Sequence, residues 1–515
     1  MYNVPASLEN APALRALWTR TGRMTALGNA LAFLHWDQAT LMPSGAAGTR
    51  ALESAALEGL AHEMLTATET GDLLEAAEAE ARTLDADPRE VALVQANLRE
   101  VRRQYTRATI LDRDLVEALA VAASTCETAW RAAREERSFA VVREPFETLL
   151  ARVRESAGAQ ASVLGCSPWE ALLDAFEPGA TEAGIDRVFS ELEGFLPDFI
   201  SEVIEQRTGN PDPGLPEGPF PEAIQERLAH DLMERLGFDF RHGRLDRTIH
   251  PFCGGTPRDV RIATRYNEAD FTSGLFGVLH ETGHALYEQG LPEALVFQPV
   301  GQSRSMSIHE SQSLLYEMQL GHSRAFLAAF LPGWREAFGG SGPAWEPETF
   351  GRALNAVRRS FIRVEADEVT YPVHVLVRTR LERAMIAGDL RPADLPGAWN
   401  DDMERLLGIR PSNDLEGCLQ DIHWYDGLWG YFPTYTLGAM TAAQVFDAAL
   451  KGDPAIGDGL DRGDFRPLLA WLRTAIHEKG SSLSVEELLR EATGRPLDPA
   501  VFRAHLRSRY LDGDR

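Results

Sequence analysis

The sequence predicts a mainly α protein with one small patch of β-structure, and three observations point there. The first two hundred residues are dense in Ala, Leu, Glu and Arg at helical spacing. Strand signals are nearly absent from that stretch. One short segment, Asp259–Tyr266, alternates Val260, Ile262 and Thr264 with Arg261, Ala263 and Arg265, the period of a strand.

Residues 45–66, 72–107, 112–136 and 144–164 each read as an amphipathic helix. The Pro/Gly-rich run 208–219 is the clearest loop and separates a mostly helical part, 1–207, from a second part, 223–515, within one expected unit of 515 residues. Smaller breaks fall at 339–343 and around 451–464. The stretch from His250 to Thr256 reads as a loop leading into the strand. That strand could offer an edge to an extended peptide, or form a small structural sheet.

Directly after the strand, Phe271-Thr-Ser-Gly-Leu-Phe-Gly-Val-Leu-His280 is apolar and small, as in a buried helix. Asp270 or Thr272 can cap its start, and Gly290 can stop it. It runs into His280-Glu-Thr-Gly-His284. Histidines four apart project from nearly one helical face, so both imidazoles can bind one metal ion. Glu281 can reach a water on the open side of that ion without being a ligand. This is the H-E-x-x-H arrangement of zinc peptidases. A catalytic zinc usually takes a third protein ligand. After Gly290 the chain loops and re-enters a helix at Ser307-Ile-His-Glu-Ser-Gln-Ser-Leu-Leu-Tyr-Glu317, where Glu310, 26 residues past His284, is the natural candidate. His309 and Glu317 are rivals. Ser307 and Glu310 also have the spacing of a capping box, which would engage Glu310 at the helix start instead.

Composition narrows the partners. A formal charge of −26 argues against nucleic acid, whose phosphates need a basic surface. The positive charge is almost all arginine, the lysines being Lys451 and Lys479. Cys126, Cys166, Cys253 and Cys418 are too scattered for a disulfide framework or zinc knuckle and read as buried free thiols. The N-terminus lacks the pattern of a signal peptide, and no apolar run approaches the roughly 20 residues of a membrane helix. A cytoplasmic location is expected.

Five ordered segments carry a more specific signal: Asp246-Arg-Thr-Ile-His-Pro-Phe252, Asp259-Val-Arg-Ile262, His280-Glu-Thr-Gly-His284, His309-Glu-Ser-Gln-Ser313 and Ile362-Arg-Val-Glu-Ala-Asp367. Together they closely resemble the carboxypeptidase Taq family of metallocarboxypeptidases. His35–Pro43, Phe176-Glu-Pro-Gly179, His423-Trp-Tyr-Asp426 and Gly430–Tyr435 also look like family segments, so the resemblance covers nearly the whole chain. It implies a large, mainly helical single unit with a deep active-site cleft and a small sheet beside the metal helix, commonly a homodimer. It implies Glu310 as the third ligand, zinc as the metal with cobalt able to substitute, and stepwise removal of residues from peptide C-termini with broad preference. The sequence departs from the family pattern at Ala263, where threonine is usual, at Leu314 for arginine, and at Met318 and Pro372 for asparagine. None is a proposed ligand or the base.

Glu281 is then expected to take a proton from the attacking water and return it to the leaving amine. His423, Tyr431 and Tyr435 can supply N–H or O–H groups to the developing oxyanion, or simply pack as an aromatic core. Arg363 is the first choice for the substrate's terminal carboxylate, because a guanidinium binds carboxylates bidentately. Its alternative is an i,i+4 pair with Asp367 on a solvated helix. Arg261 and Arg265 stand next. His250 can line the cleft, support a metal ligand from behind, or serve a turn. Competing functions are a related helical oligopeptidase or dipeptidyl carboxypeptidase, and an inactive peptide-binding homologue.

Overall fold

The computed structural model describes residues 2–207, 214–248 and 251–513. It is 73% helical around a single three-stranded sheet among the described residues, so the mainly α expectation holds.

The N-terminal helices follow the sequence with one break. Helices Ala47–Thr66, Arg113–Glu136 and Arg143–Leu164 match three of the expected four. The fourth, expected over 72–107, is two helices, Thr68–Ala81 and Pro88–Ile110. Proline removes an amide donor and keeps the preceding residue extended. Asp87 accordingly sits at φ −55°, ψ 137° and caps the new helix by accepting from the Arg89 amide. Residues 208–213 of the expected long loop lie outside the described residues, and 214–219 run without helix or strand. The break around 451–464 contains a short helix, Pro454–Asp461.

Three apolar cores hold the helices. One is confined to the N-terminal helices and gathers Leu14, Trp18, Leu74 and Val101. A second joins the 122–203 region to 357–443 through side chains such as Phe146, Leu196, Val375 and Trp424. The third surrounds the H-E-x-x-H helix with Phe271, Leu279, Tyr316 and Trp334. The second core thus draws on both sides of the 208–219 run.

The sheet differs from the reading of its sequence. Strands β1 (Gly243–Arg247), β2 (Phe252–Thr256) and β3 (Asp259–Thr264) lie in the order β1-β3-β2, with β1 parallel and β2 antiparallel to β3. The 259–264 segment is therefore the central strand, its backbone groups paired on both sides, and it offers no edge to a peptide. The glycine-rich stretch expected as a loop is largely β2, which closes a hairpin on β3 with Cys253 opposite Ile262. Trp36, from helix Pro12–Thr40, packs on Phe252, their rings 5.0 Å apart. All four cysteines are free, Cys126 and Cys418 buried and Cys166 and Cys253 half-buried. Among the described residues no helix is long and apolar enough to cross a membrane.

Candidate metal centre

Helix Phe271–Gly290 starts where Asp270 accepts a hydrogen bond from the Thr272 amide, and its buried face includes Leu275, Val278, Leu279 and Leu286. Against it lies helix Met306–Leu314, which continues as a π-helical stretch, Leu315–Gly321. The two come very close at Gly283. A Cβ built there would sit 2.4 Å from the Gln312 carbonyl oxygen and 2.6 Å from the Ser313 Cα. Glycine inside the motif is thus what lets the second helix approach the first. Gly283→Ala should favour the isolated helix by about 1 kcal/mol, yet overpacking should cost about 1–3 kcal/mol. We expect a lower melting temperature together with weaker metal binding, checked by thermal unfolding and metal analysis. Wild-type values for both would show that this contact does not set the spacing.

The approach brings His280, His284 and Glu310 together, with one potential ligand atom from each lying within 4.8 Å of the others. Glu310 Oε2 is 3.5 Å from His284 Nε2 and 3.9 Å from His280 Nε2. Helix Pro433–Gly452 closes the far side at Gly438, where a Cβ would fall 2.8 Å from Glu310 Cβ and Cγ. The capping-box alternative does not form. Ser305 is the N-cap, accepting from the Ile308 amide, so Glu310 lies beyond the first turn with its carboxylate toward the histidines.

The rival residues stand behind the two histidines. His280 Nδ1 is 2.7 Å from Glu317, which the π-helical stretch carries. His284 Nδ1 is 2.6 Å from His309 Nδ1, and His309 Nε2 is 2.9 Å from Glu288. The network assigns the protons: His309 donates from Nε2 to Glu288 and accepts at Nδ1 from His284, which leaves His284 Nε2 as an acceptor facing Glu310. With its Nδ1 committed to Glu317, His280 also turns Nε2 inward. Two imidazole nitrogens and one carboxylate oxygen form a donor set suited to zinc and to neighbouring divalent ions.

The electrostatics agree with a cation site. Burial opposes charge on His280, but Glu317, Glu310 and Glu281 outweigh it and push its pKa up to about 10. Those carboxylates would equally stabilise a divalent ion. Burial brings His284 down to about 4 against the pull of Glu310. Glu310 itself falls to about 2, since the histidines around it outweigh its burial. Glu281, 8% exposed, is raised by burial to about 7.

A second cluster lies beyond Glu310. Arg363 is 6% exposed and donates from Nε and Nη2 to Asp421 and from Nη1 to the Tyr371 hydroxyl. Arg378 takes the other Asp421 oxygen at 2.6 Å. The expected pair between Arg363 and Asp367 is not made: residues 363–365 form a 3₁₀ turn, and Asp367 accepts from the Arg358, Val369 and Thr370 amides. Arg363 also lies over the Tyr435 ring, at 4.9 Å. His423 Nε2 is 3.2 Å from the Tyr435 hydroxyl, and Tyr431 and Tyr435 meet edge to face at 5.3 Å. Burial, Tyr435 and Glu310 push the Tyr431 hydroxyl up, and burial raises Tyr435 as well, so both remain O–H donors at neutral pH. Burial lowers His423 to about 4. Arg261 is ion-paired with Asp259 and lies over Phe33, while Arg265 is exposed past the end of β3. His250 lies outside the described residues.

Comparison with known proteins decides the family. The carboxypeptidase Taq (M32) metallopeptidase model matches residues 16–510. The chain belongs to the M32 family. It is 39% identical over 502 residues to thermostable carboxypeptidase 1 of Thermus thermophilus, covering 95% of this chain and 96% of that one. Carboxypeptidase 1 of Bacillus subtilis is 34% identical over 493 residues, with 95% and 96% covered. Among solved structures, Trypanosoma cruzi metallocarboxypeptidase 1 superposes with a TM-score of 0.93 at 38% identity, over 97% of this chain and 100% of that one. The M32 carboxypeptidase of Deinococcus radiodurans gives 0.88 at 34%, over 97% and 99%. This M32 chain is accordingly a metallocarboxypeptidase, a hydrolase of peptide bonds.

Three of the four positions at which the resemblance implies a departure lie together. Leu314, Met318 and Pro372 all line one cavity of about 220 Å³, bordered by His280, Glu310 and Tyr371. Ala263 is buried on β3 instead. Tyr371 and Asp421 were missed in the sequence. The signal for Asp421 was available, since an arginine placed in a buried motif needs a carboxylate and one stands two residues before His423.

Proposed function

We propose that this chain is a zinc-dependent carboxypeptidase that removes residues one at a time from peptide C-termini with broad preference. His280, His284 and Glu310 hold the ion, with cobalt able to replace zinc, and Glu281 is the general base. The observation that carries this reading is the convergence of those three side chains with Glu281 on the same helical turn. When bound, the ion supplies Lewis acidity and lowers the pKa of a nearby water to about 7.

The chain's own groups supply the rest. Glu281, raised by burial to about 7, accepts the proton of the attacking water, holds it at its carboxyl, and passes it to the leaving amine. Tyr431, Tyr435 and His423 offer donors to the oxygen on which negative charge develops. A guanidinium has five N–H donors, and three of those of Arg363 are used by Asp421 and Tyr371. The remaining two can receive the substrate's terminal carboxylate, in a region otherwise closed by aromatic rings.

The test is a peptide digest followed by mass spectrometry, with and without chelator. Successive loss of single C-terminal residues, stopped by chelator and by C-terminal amidation, is expected. Internal cleavage or dipeptide release would favour the related oligopeptidase instead. Glu310→Ala should lose metal strongly, because two histidines alone leave the site poorly closed. Wild-type metal content in that variant would remove Glu310 from the ligand set.

A further inference from the structure

Helix Met306–Leu314 carries Glu310, yet its own sequence does not fix where it begins, since Ser305 and Ser307 can both cap. Its start is held from outside at three points. The Arg304 amide donates to the Tyr287 hydroxyl, on the helix that bears His280 and His284, at 3.1 Å. The Met306 amide donates to the Phe176 carbonyl at 3.0 Å. Glu177, 2% exposed, grips Ser307 with both carboxylate oxygens, accepting from its amide at 2.5 Å and its hydroxyl at 2.7 Å. Phe176 meanwhile packs edge-on against Tyr431, with ring centroids 4.9 Å apart.

Phe176 and Glu177 belong to the short link between helices Pro168–Leu173 and Glu182–Arg207, far from the metal motifs in sequence. We infer that Glu177 is a positioning residue for the metal centre: by fixing Ser307 it sets where Glu310 stands relative to His280 and His284. The geometry transmits the constraint directly. Ser307 and Glu310 are three residues apart and share a helical face. Both meet the same point of the facing helix, for a Cβ at Gly438 would touch the Ser307 carbonyl at 3.3 Å and Glu310 at 2.8 Å. Gly283 against Gln312 on one side and Gly438 against Glu310 on another leave no room for a side chain between this helix and its neighbours. Glu177 then fixes the register of the helix's first turn from the side of Ser307, together with the Tyr287 and Phe176 contacts. The link holds both walls of the site, since Phe176 touches Tyr431 while Glu177 touches Ser307.

This rests on Glu310 being a ligand, so the experiment tests both claims separately. Zinc-loaded wild type, E177A, E177Q, S307A and E310A are titrated with a competing chelator, with circular dichroism and thermal unfolding measured alongside. Removing a group hydrogen-bonded directly to a metal ligand typically weakens binding about 10–100-fold, and E177A, acting through Ser307, should reach the lower end, about 10-fold. E177Q should stay within about threefold, because an amide still accepts from the Ser307 amide and can donate to its hydroxyl. S307A, which keeps the backbone bond, should weaken zinc binding by at least about threefold. A purely structural role predicts a lower melting temperature with wild-type zinc affinity. That result in E177A overturns the proposal, as does the same result in S307A should E177A not fold. If E310A binds zinc like wild type, the ligand assignment fails, and the role of Glu177 falls with it.

Discussion

Glu281→Gln is expected to keep its metal and lose about 10²–10⁴-fold in kcat, the span that general acid–base catalysis typically contributes. The substitution preserves the shape of the side chain and removes its ability to accept a proton. Glu281 is not part of the three-residue cluster, so metal content should match wild type. Its environment suits the role. Burial lifts its carboxyl to about 7, where a carboxylate is a far better base than one near its ordinary value. His280 beside it pulls the other way, favouring the charged form. Metal analysis and steady-state kinetics on the same preparation check this. Substantial turnover in a fully loaded variant would remove Glu281 from the mechanism and leave Tyr431, Tyr435 or His423 as the groups to examine.

What the sequence conveyed and what it hid divide along one physical line. The metal helix was legible because its information is local: a cap at Asp270, an apolar face, and two histidines one turn apart. Glu310 was legible as a candidate but not as a decision. Ser307 stands at capping-box distance from it, but in the structure Ser307 is engaged by Glu177, 130 residues earlier, and Ser305 is the cap. The central position of β3 was hidden for a similar reason. β1 reads Gly-Arg-Leu-Asp-Arg and β2 reads Phe-Cys-Gly-Gly-Thr, neither with strand composition, and both become strands only by pairing with β3. The helix break at 82–87 is written in local information, since Asp87-Pro88 states it plainly, and the helical spacing across 72–107 masks it. For Arg363, helical spacing suggested Asp367, but a 3₁₀ turn replaces the helix and the partner arrives from a later segment.

That partner sharpens the second large effect. If Arg363 receives the substrate's carboxylate, Arg363→Ala should lower kcat/KM on free peptides by about 2–5 kcal/mol, the range for truncating one partner of a buried charge pair. The fold should survive, because Asp421 retains Arg378 on its other oxygen, and metal content should not change. The decisive comparison uses the same peptide with its C-terminus free and amidated. Wild type should act poorly on the amide, which offers no carboxylate, and the substitution should add little further loss there. A role confined to holding Asp421 and Tyr371 in place predicts something different. Loss of Arg363 would then loosen Tyr371 and the neighbouring Tyr435, and turnover of both peptides would fall by the same factor. Equal losses would therefore assign Arg363 to the architecture of the tyrosine wall. The search for the carboxylate clamp would pass to Arg261 and Arg265. Arg261 would have to leave its pair with Asp259, whereas Arg265 is exposed at the end of β3.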